Sequence, residues 1–135
     1  MSDFNDAIIK EFRENHGEVG GMFEGAKMIL VTTTGNKSGN KHTTPLVYTL
    51  EGDKYVIIAS KGGAEDHPDW FFNVQADPKV EVEVGDEKFS ANAEIVGEPD
   101  RTRIYAQHAE INPGFLEYQE KTKRVIPVVL LEKIN

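Results

Sequence analysis

The chain has 135 residues, no cysteine, and 15 basic against 23 acidic residues, which gives a formal net charge of −8. This length favours one domain with one hydrophobic core, and the lack of cysteine excludes disulfides, thiolate metal sites and a cysteine nucleophile. The acidic balance disfavours general nucleic-acid binding, because such binding needs Lys and Arg to neutralise phosphates.

The first predicted element is an amphipathic helix over about residues 2–15, in which Phe4, Ile8 and Phe12 recur at a spacing of four. Such an apolar stripe packs on a core or at a subunit contact, and a peripheral membrane contact through this helix stays open. No segment has the roughly 20 apolar residues of a membrane-spanning helix, and the N-terminus lacks the pattern of a signal peptide. We therefore expect a cytoplasmic protein, with association at a membrane surface left open.

Short apolar or alternating segments joined by turns predict about six strands. They are residues 27–34, 42–50, 55–60, 79–84, 87–96 and 124–133. Pro45 indicates an edge strand or a bulge. Three more helices are predicted at residues 68–75, 99–110 and 113–122, each beginning at a proline. Because the strands are mostly hairpin-linked and do not alternate with helices, the pattern predicts an antiparallel, barrel-like α+β fold.

Several common catalytic motifs are missing from the sequence. It contains no GxGxxG, no GxxxxGK[ST], no HExxH and no GxSxG. The four histidines are too scattered to predict a metal site, and acidic pairs are poor indicators of glycosidase chemistry in so acidic a chain.

One segment departs from the acidic composition. Residues 25–50 contain no Asp or Glu, although acids make up 23 of the 135 residues. The turn within it, GNKSGNK, combines glycines with Lys37, Ser38 and Lys41, and such a turn can hold a phosphate or a carboxylate. An ordinary hairpin between two buried strands explains the same composition, so both interpretations stay open here.

Two further segments combine glycines or aromatics with polar groups. ASKGGA, residues 59–64, follows an apolar strand, and its paired glycines let a ligand approach the backbone beside Ser60 and Lys61. HPDWFFN, residues 67–73, contains Trp70, the single tryptophan, which can stack on a planar ring. The alternatives are a flexible surface loop for the first segment and core packing for the second.

Taken together, TTTGNKSGNKHTTPLVY, ASKGGAEDHPDWFFNVQADPKVEVEVG and FLEYQEKTKRVIPVVLLE resemble the deazaflavin-dependent nitroreductases, also called F420H2-dependent quinone reductases. The resemblance covers about residues 27–132. It implies a split β-barrel related to flavin-mononucleotide-binding barrels, with coenzyme F420 as the cofactor. We therefore expect a single domain over residues 1–135, made of an N-terminal helix (1–16) and a split barrel (27–133).

The resemblance also implies site residues. Those expected to bind the cofactor are Lys37, Ser38, Lys41, Thr44, Pro45, Ala59, Ser60, Lys61, Gly62, Gly63, Pro68, Trp70 and Asn73. The implied reaction is hydride transfer from the reduced deazaflavin to a quinone or nitro compound, with Ser60 as a hydroxyl donor and Tyr118 lining the acceptor pocket. Positions at which a well-studied subset of the family carries tyrosines hold Asn112 and Phe115, a departure that weighs against nitroimidazole reduction.

Two alternatives to an F420-dependent reductase remain at this stage. An oxidoreductase of the same barrel type that uses flavin mononucleotide (FMN) would place its phosphate at the same basic turn. A non-catalytic protein that stores or carries F420 would need the cofactor contacts alone. The expected partner is a small-molecule electron acceptor, and a homodimer is left open because related barrels often dimerise.

Overall fold

A computed structural model describes residues 3–21 and 25–134 of the chain. The helices are α1 (Asp3–Glu14), α2 (Asp69–Ala76), α3 (Asp100–Ile111) and α4 (Gly114–Lys121). The strands are β1 (Met28–Thr34), β2 (Lys41–Val47), β3 (Thr49–Glu51), β4 (Lys54–Ile58), β5 (Lys79–Val84), β6 (Glu87–Ile95) and β7 (Val128–Lys133). A 3-10 turn spans Lys61–Gly63. Ser2, the predicted start of the first helix, lies outside the described residues, as does the side chain of Phe4.

The seven strands form one antiparallel sheet in the order β2-β1-β5-β6-β7-β4-β3. Strands β2 and β3 occupy opposite edges of this sheet, although Tyr48 alone separates them in sequence. The sheet must therefore curl until its two edges meet, and the expected split barrel with an α+β composition is confirmed. The edge position predicted for Pro45 is confirmed as well, since β2 pairs with β1 alone.

The described residues form seven strands, one more than predicted, because the strand predicted over residues 42–50 is broken at Tyr48. The backbone N–H of Tyr48 donates to the carbonyl of Lys27 at 3.0 Å, one step beyond the last β1–β2 pair, Met28 and Val47. The chain then crosses to the other edge, where the Tyr48 ring meets the Tyr55 ring edge-on with centroids 5.3 Å apart. A continuous β pattern can thus change sheet edge without any break in composition.

The core explains why residues 28–31 are apolar without alternation. Ile29 and Val31 on β1 face the barrel interior, whereas Met28 and Leu30 belong to a separate cluster against α1. That cluster buries Ile8 and Phe12 of the predicted apolar stripe. Core packing of the first helix is therefore confirmed. Within the described part of the chain, no helix combines the length and apolar character needed to cross a membrane.

The remaining helices cover or fill the barrel. Trp70 and Phe71 on α2 enter the interior, and Ile104 and Tyr105 on α3 cover the outer face of β4 and β7. Helices α2, α3 and α4 each begin directly after a proline, as predicted. Helix α2 thereby closes one end of the barrel and brings its first turn to the candidate site.

The last strand starts later than predicted, at Val128 and not at residue 124. The side chain of Gln119 explains the delay, because its amide donates to the Arg124 carbonyl at 2.8 Å and accepts from the Ile126 N–H at 3.0 Å. These backbone groups are thus bound to α4 and are not free to pair with a strand.

Candidate functional site

A cleft of about 780 Å³ lies between the β1–β2 turn (residues 35–40), the 3-10 turn and the start of α2. It is lined by Asn5, Gly35, Asn36, Lys37, Ser38, His42, Thr44, Lys61, Pro68, Asp69, Trp70, Phe72 and Asn73. Seven of the residues expected to bind a cofactor are in this lining, namely Lys37, Ser38, Thr44, Lys61, Pro68, Trp70 and Asn73. Three segments that are distant in sequence therefore converge on one cavity.

Other expected site residues are outside the lining of this cleft: Lys41, Pro45, Ala59, Ser60, Gly63 and Tyr118. Lys41 turns its ammonium group to the Thr34 hydroxyl at 2.8 Å, so in this structure it braces the hairpin. Gly62 lies in the 3-10 turn. Direct contact of these residues with a cofactor stays a prediction.

The β1–β2 turn is closed by its own backbone and needs glycine at its first position. The Gly35 N–H donates to the Asn40 carbonyl at 2.7 Å, and the Asn40 N–H donates to Ser38 Oγ at 3.1 Å. A Cβ on Gly35 would lie 2.7 Å from Ser38 Oγ and 3.1 Å from His42 Nε2. The missing side chain thus lets Ser38 and His42 approach each other at the cleft, and the Ser38 hydroxyl keeps its proton to donate.

The amide of Asn73 attaches this turn to α2. Its Oδ1 accepts from the Asn36 N–H at 3.0 Å, and its Nδ2 donates to Thr33 Oγ1 at 2.9 Å. Asn73 is 5% exposed, so its bond to Thr33 is shielded from water, whereas the bond from the exposed Asn36 is partly buried. Expected as a cofactor contact, Asn73 lines the cleft and also positions the turn that carries Lys37.

The second glycine segment forms a strained loop, residues 60–64, which we call the Ser60 loop. The backbone of Lys61 has φ +48°, which lies in the left-handed region that residues other than glycine rarely adopt. Gly63 has φ +85°, and a Cβ there would lie 3.0 Å from the Tyr118 carbonyl oxygen and 3.1 Å from Tyr118 Cα. The loop is thus pressed against the backbone of α4.

The guanidinium of Arg124 reaches this loop and was missed as a site residue. It donates to three backbone carbonyls, those of Ala59, Ser60 and Ala64, at 3.2, 2.8 and 2.8 Å. Residue 124 was predicted to begin a strand, and that prediction gives no indication that its side chain binds the Ser60 loop. His42 was also missed as a lining residue, although it stands in the acid-free segment that flagged the turn.

His67 completes the contacts of Arg124. The Arg124 Nη1 lies 2.9 Å from His67 Nδ1, and because guanidinium only donates, the imidazole nitrogen must accept. Burial, followed by the nearby Arg124 charge, lowers the pKa of His67 below its usual value. A neutral His67 is therefore the form that fits this arrangement.

The charges around the cleft match those of an anion site. Among the lining residues Lys37 and Lys61 are basic and Asp69 is acidic. Asp69 lies in the first turn of α2, where a carboxylate is favoured by the helix dipole. The acid-free segment of the sequence thus contributes Lys37, Ser38 and His42 to the lining of the cleft and no carboxylate.

Comparison with known proteins agrees with this geometry. Residues 7–133 match the family model described as F420H(2)-dependent quinone reductase. An F420H(2)-dependent quinone reductase of Mycobacterium tuberculosis is 39% identical over 133 residues, which cover 96% of this chain and 87% of the relative.

Solved structures give the same result. A structure of an F420-H2-dependent reductase is 42% identical with a TM-score of 0.72, and the match covers 78% of this chain and 94% of that one. Another, described as a domain-swapped dimer, is 35% identical with a TM-score of 0.74, covering 94% of this chain and 95% of that one. The family model spans nearly the whole chain, and the family is named for enzymes that use reduced coenzyme F420. The resemblance carried by the three sequence segments is therefore confirmed, and the chain belongs to the F420H(2)-dependent quinone reductase family.

Proposed function

We propose that the protein transfers a hydride from reduced F420 to a quinone, with nitro compounds as a second class of acceptor. One observation carries the proposal: the lysine-bearing β1–β2 turn, the 3-10 turn with Lys61 and the first turn of α2 line the same cleft. F420 is a deazaflavin whose phosphate-bearing tail ends in glutamates. Such a ligand needs cationic groups and an apolar wall in one cavity.

The β1–β2 turn fits the anionic tail. Lys37 is exposed at the cleft and supplies a positive charge, and Ser38 supplies a hydroxyl donor. Glycine at position 35 lets Ser38 and His42 pack at this side of the cleft, where a side chain on residue 35 would collide with them. We assign Lys37 and Ser38 to the tail, and Lys41 to bracing the same hairpin.

The 3-10 turn and α2 fit the ring. Lys61 and Pro68 line the cleft, whereas Trp70 is 5% exposed and packs mainly into the barrel core. Trp70 therefore stiffens the wall and offers little surface for stacking. We assign the segment around Lys61 to contact with the deazaflavin and Trp70 to supporting it.

Reduced F420, when bound, supplies the hydride, and the protein supplies position and electrostatics. An acceptor oxygen that gains electron density needs a proton or a hydrogen-bond donor. We assign this role to the Ser60 hydroxyl, directly or through water, because the Ser60 backbone is fixed by Arg124. Tyr118, whose backbone abuts Gly63, is assigned to the acceptor side.

A quinone is favoured over a nitroimidazole by the residues near Tyr118. Phe115 carries no hydroxyl, and its ring packs on His108 with centroids 4.5 Å apart. The Asn112 side-chain nitrogen is buried without a hydrogen-bond partner among the described residues. Neither side chain supplies the phenolic donor present in the nitroimidazole-reducing subset.

The test is a pair of measurements on the purified protein. Binding of oxidised F420 and of FMN is titrated separately through cofactor and Trp70 fluorescence, and oxidation of reduced F420 is then followed with and without menadione as the quinone. We expect saturable binding of F420 and a rate with menadione well above that of buffer. Saturable binding of FMN alone would overturn the cofactor assignment.

The carrier alternative gives a different outcome in the same experiment. A protein that binds reduced F420 but oxidises it no faster than buffer, across quinones and nitro compounds, would be a carrier. The family is named for reductases, and this favours turnover.

We also propose a homodimer, supported by the 35% identical structure described as a domain-swapped dimer. Light scattering coupled to size exclusion measures it directly, and a mass of about 15.1 kDa, that of one chain, would contradict it. A membrane contact through α1 lacks such support, because Ile8 and Phe12 are buried against the barrel.

A further inference from the structure

We propose that Arg124 is the positioning residue of the Ser60 loop, holding it in the conformation that places Ser60 and Lys61 beside the cofactor and acceptor. The proposal rests on the proposed function, since it takes that loop as part of the reaction site. Arg124 acts through the backbone of the loop and is not assigned contact with any reacting atom.

The geometry of the guanidinium supports this role first. Its Nε donates to the Ala64 carbonyl at 2.8 Å, and its Nη2 donates to the Ser60 carbonyl at 2.8 Å. Nη1 adds a longer bond to the Ala59 carbonyl at 3.2 Å. One planar cation thus ties both ends of the loop to a single point, which the compact ammonium of a lysine cannot do.

Backbone strain supplies the second argument. The left-handed φ of Lys61 persists only where the surrounding structure holds it. Within the loop, the Gly63 N–H donates to the Ser60 carbonyl at 2.9 Å and the Ala64 N–H donates to the Lys61 carbonyl at 3.2 Å. Arg124 bonds to the carbonyls on either side of Lys61, so its loss leaves two weak turn bonds to hold the strained residue.

The partners of Arg124 are backbone carbonyls and an imidazole. None of the ion pairs found among residues 3–21 and 25–134 includes it. Burial lowers its pKa, yet its donors go to carbonyl oxygens and to His67 in place of a carboxylate. Its three carbonyl bonds all go to residues 59–64, so the guanidinium is directed at the backbone of one loop.

Arg124 is itself fixed from α4. The Gln119 amide donates to the Arg124 carbonyl at 2.8 Å, and Gln119 follows Tyr118 in the sequence. The helix assigned to the acceptor side and the loop assigned to the cofactor side are therefore linked through one residue. Arg124 sets the position of Ser60 relative to Tyr118.

Arg101 provides a matched control. Its Nε and Nη2 also donate to a backbone carbonyl, that of Ile126, at 2.9 and 2.8 Å, and Nη2 donates to the Gln119 side chain. No hydrogen bond found among the described residues joins Arg101 directly to the Ser60 loop. Arg101→Gln should therefore lower stability but loosen residues 59–66 much less than the Arg124 variants do, because it reaches the loop only through Gln119 and the Arg124 backbone. The comparison separates positioning from general destabilisation.

The experiment uses the full chain without cofactor first. Hydrogen exchange is measured for residues 59–66 in wild type, Arg124→Gln, Arg124→Lys and Arg101→Gln. We expect about tenfold faster exchange of Gly63 and Ala64 in both Arg124 variants, in line with the loss of charge-assisted hydrogen bonds. Arg124→Lys, which keeps the charge and most of the volume, provides the measurement if the glutamine variant does not fold.

Function is then measured on the same proteins. We expect the kcat/KM for menadione reduction to fall about tenfold in the Arg124 variants. Wild-type exchange or turnover in Arg124→Gln, full rescue by lysine, or equal loosening in Arg101→Gln would each overturn the positioning role. If wild type itself fails to oxidise reduced F420, the proposed function falls, and the exchange data alone decide whether Arg124 holds the loop.

Discussion

The side chain of Asn73 on α2 is bound at both ends by the hairpin that faces it: Oδ1 accepts from the Asn36 N–H at 3.0 Å and Nδ2 donates to Thr33 Oγ1 at 2.9 Å. Helix and turn therefore behave as one unit, although 37 residues separate Asn36 from Asn73. The position of the neighbouring Lys37 depends on a residue outside its own hairpin.

Replacing Asn73 tests this dependence. Asn73→Ala removes both bonds and leaves the Thr33 hydroxyl and the Asn36 N–H without their partner. We expect the free energy of unfolding to fall by about 1–3 kcal/mol and the affinity for F420 to fall about tenfold. Chemical denaturation and a fluorescence titration measure the two effects.

Asn92→Ala is the control for that variant, because Asn92 is exposed on β6 and is not in the cleft lining. It should leave stability and affinity within error of wild type. Equal affinity for F420 in both variants would show that the turn keeps its position without Asn73.

Much of the fold was accessible from local patterns. Prolines at residues 68, 99 and 113 marked three helix starts, and the strand pattern of residues 79–96 gave the β5–β6 hairpin with its turn at Gly85 and Asp86. These elements are set by chemistry within a few residues, namely the fixed φ of proline, alternation and turn glycines.

Local sequence patterns do not predict the features that depend on closure of the barrel. Tyr48 carries no breaker signal, yet the chain changes sheet edge there because the curled sheet brings β2 and β3 together. Arg124 was predicted to be the first residue of a strand. Its hydrogen-bond acceptors lie about 60 residues away in the sequence, so no local pattern indicates them. The family resemblance indicated most of the cleft lining, and the anchors behind it appear only in three dimensions.

Charge reversal at Lys37 tests the anion site. Lys37→Glu places a carboxylate in the cleft wall, and we expect affinity for F420 to fall about tenfold, in keeping with exposed charge pairs. The loss should shrink as salt is raised, because exposed charges are screened. Titrations at two ionic strengths measure it.

Lys88→Glu carries the same change of charge on the exposed part of β6, away from the cleft lining. It controls for the general effect of a more acidic protein. The assignment of Lys37 fails if the two variants bind F420 equally well.

Gly63 tests the contact between the Ser60 loop and α4. Gly63→Ala adds a Cβ within 3.0 Å of the Tyr118 carbonyl oxygen and forces alanine into φ +85°. We expect a loss of stability of about 1–3 kcal/mol and a drop in menadione reduction, since the loop must shift. Gly52→Ala shares the positive φ, +64°, but no atom lies within 4 Å of its Cβ. A loss in Gly63→Ala no larger than that in Gly52→Ala would mean that the α4 contact adjusts freely.

His108 is expected to make stability depend on pH. Its side chain is fully buried, Nδ1 lies 2.8 Å from Thr49 Oγ1, and Nε2 has no partner among the described residues. Burial lowers the pKa of His108 from 6.5 to about 4. The unfolded chain therefore binds a proton more readily than the folded one between these values, so the free energy of unfolding should fall as pH drops from about 6.5 to about 4, by on the order of 3 kcal/mol.

The variant His108→Gln isolates this contribution, because glutamine does not titrate and retains a group that can bond to Thr49. Denaturation curves at a series of pH values should then lack most of the decline. His16→Gln is the control: a hydrogen bond donated to the Asp86 carboxylate raises the pKa of this exposed histidine, so its small contribution to stability is present at low pH and is lost as pH rises. Hydrogen bonds from Thr102 lower the pKa of Glu98 below its usual value of 4.5. The contribution of Glu98 to stability is therefore lost only as pH falls below 4.5. A decline of the same size between pH 6.5 and 4 in wild type and in His108→Gln would assign the effect to other groups, among them His67.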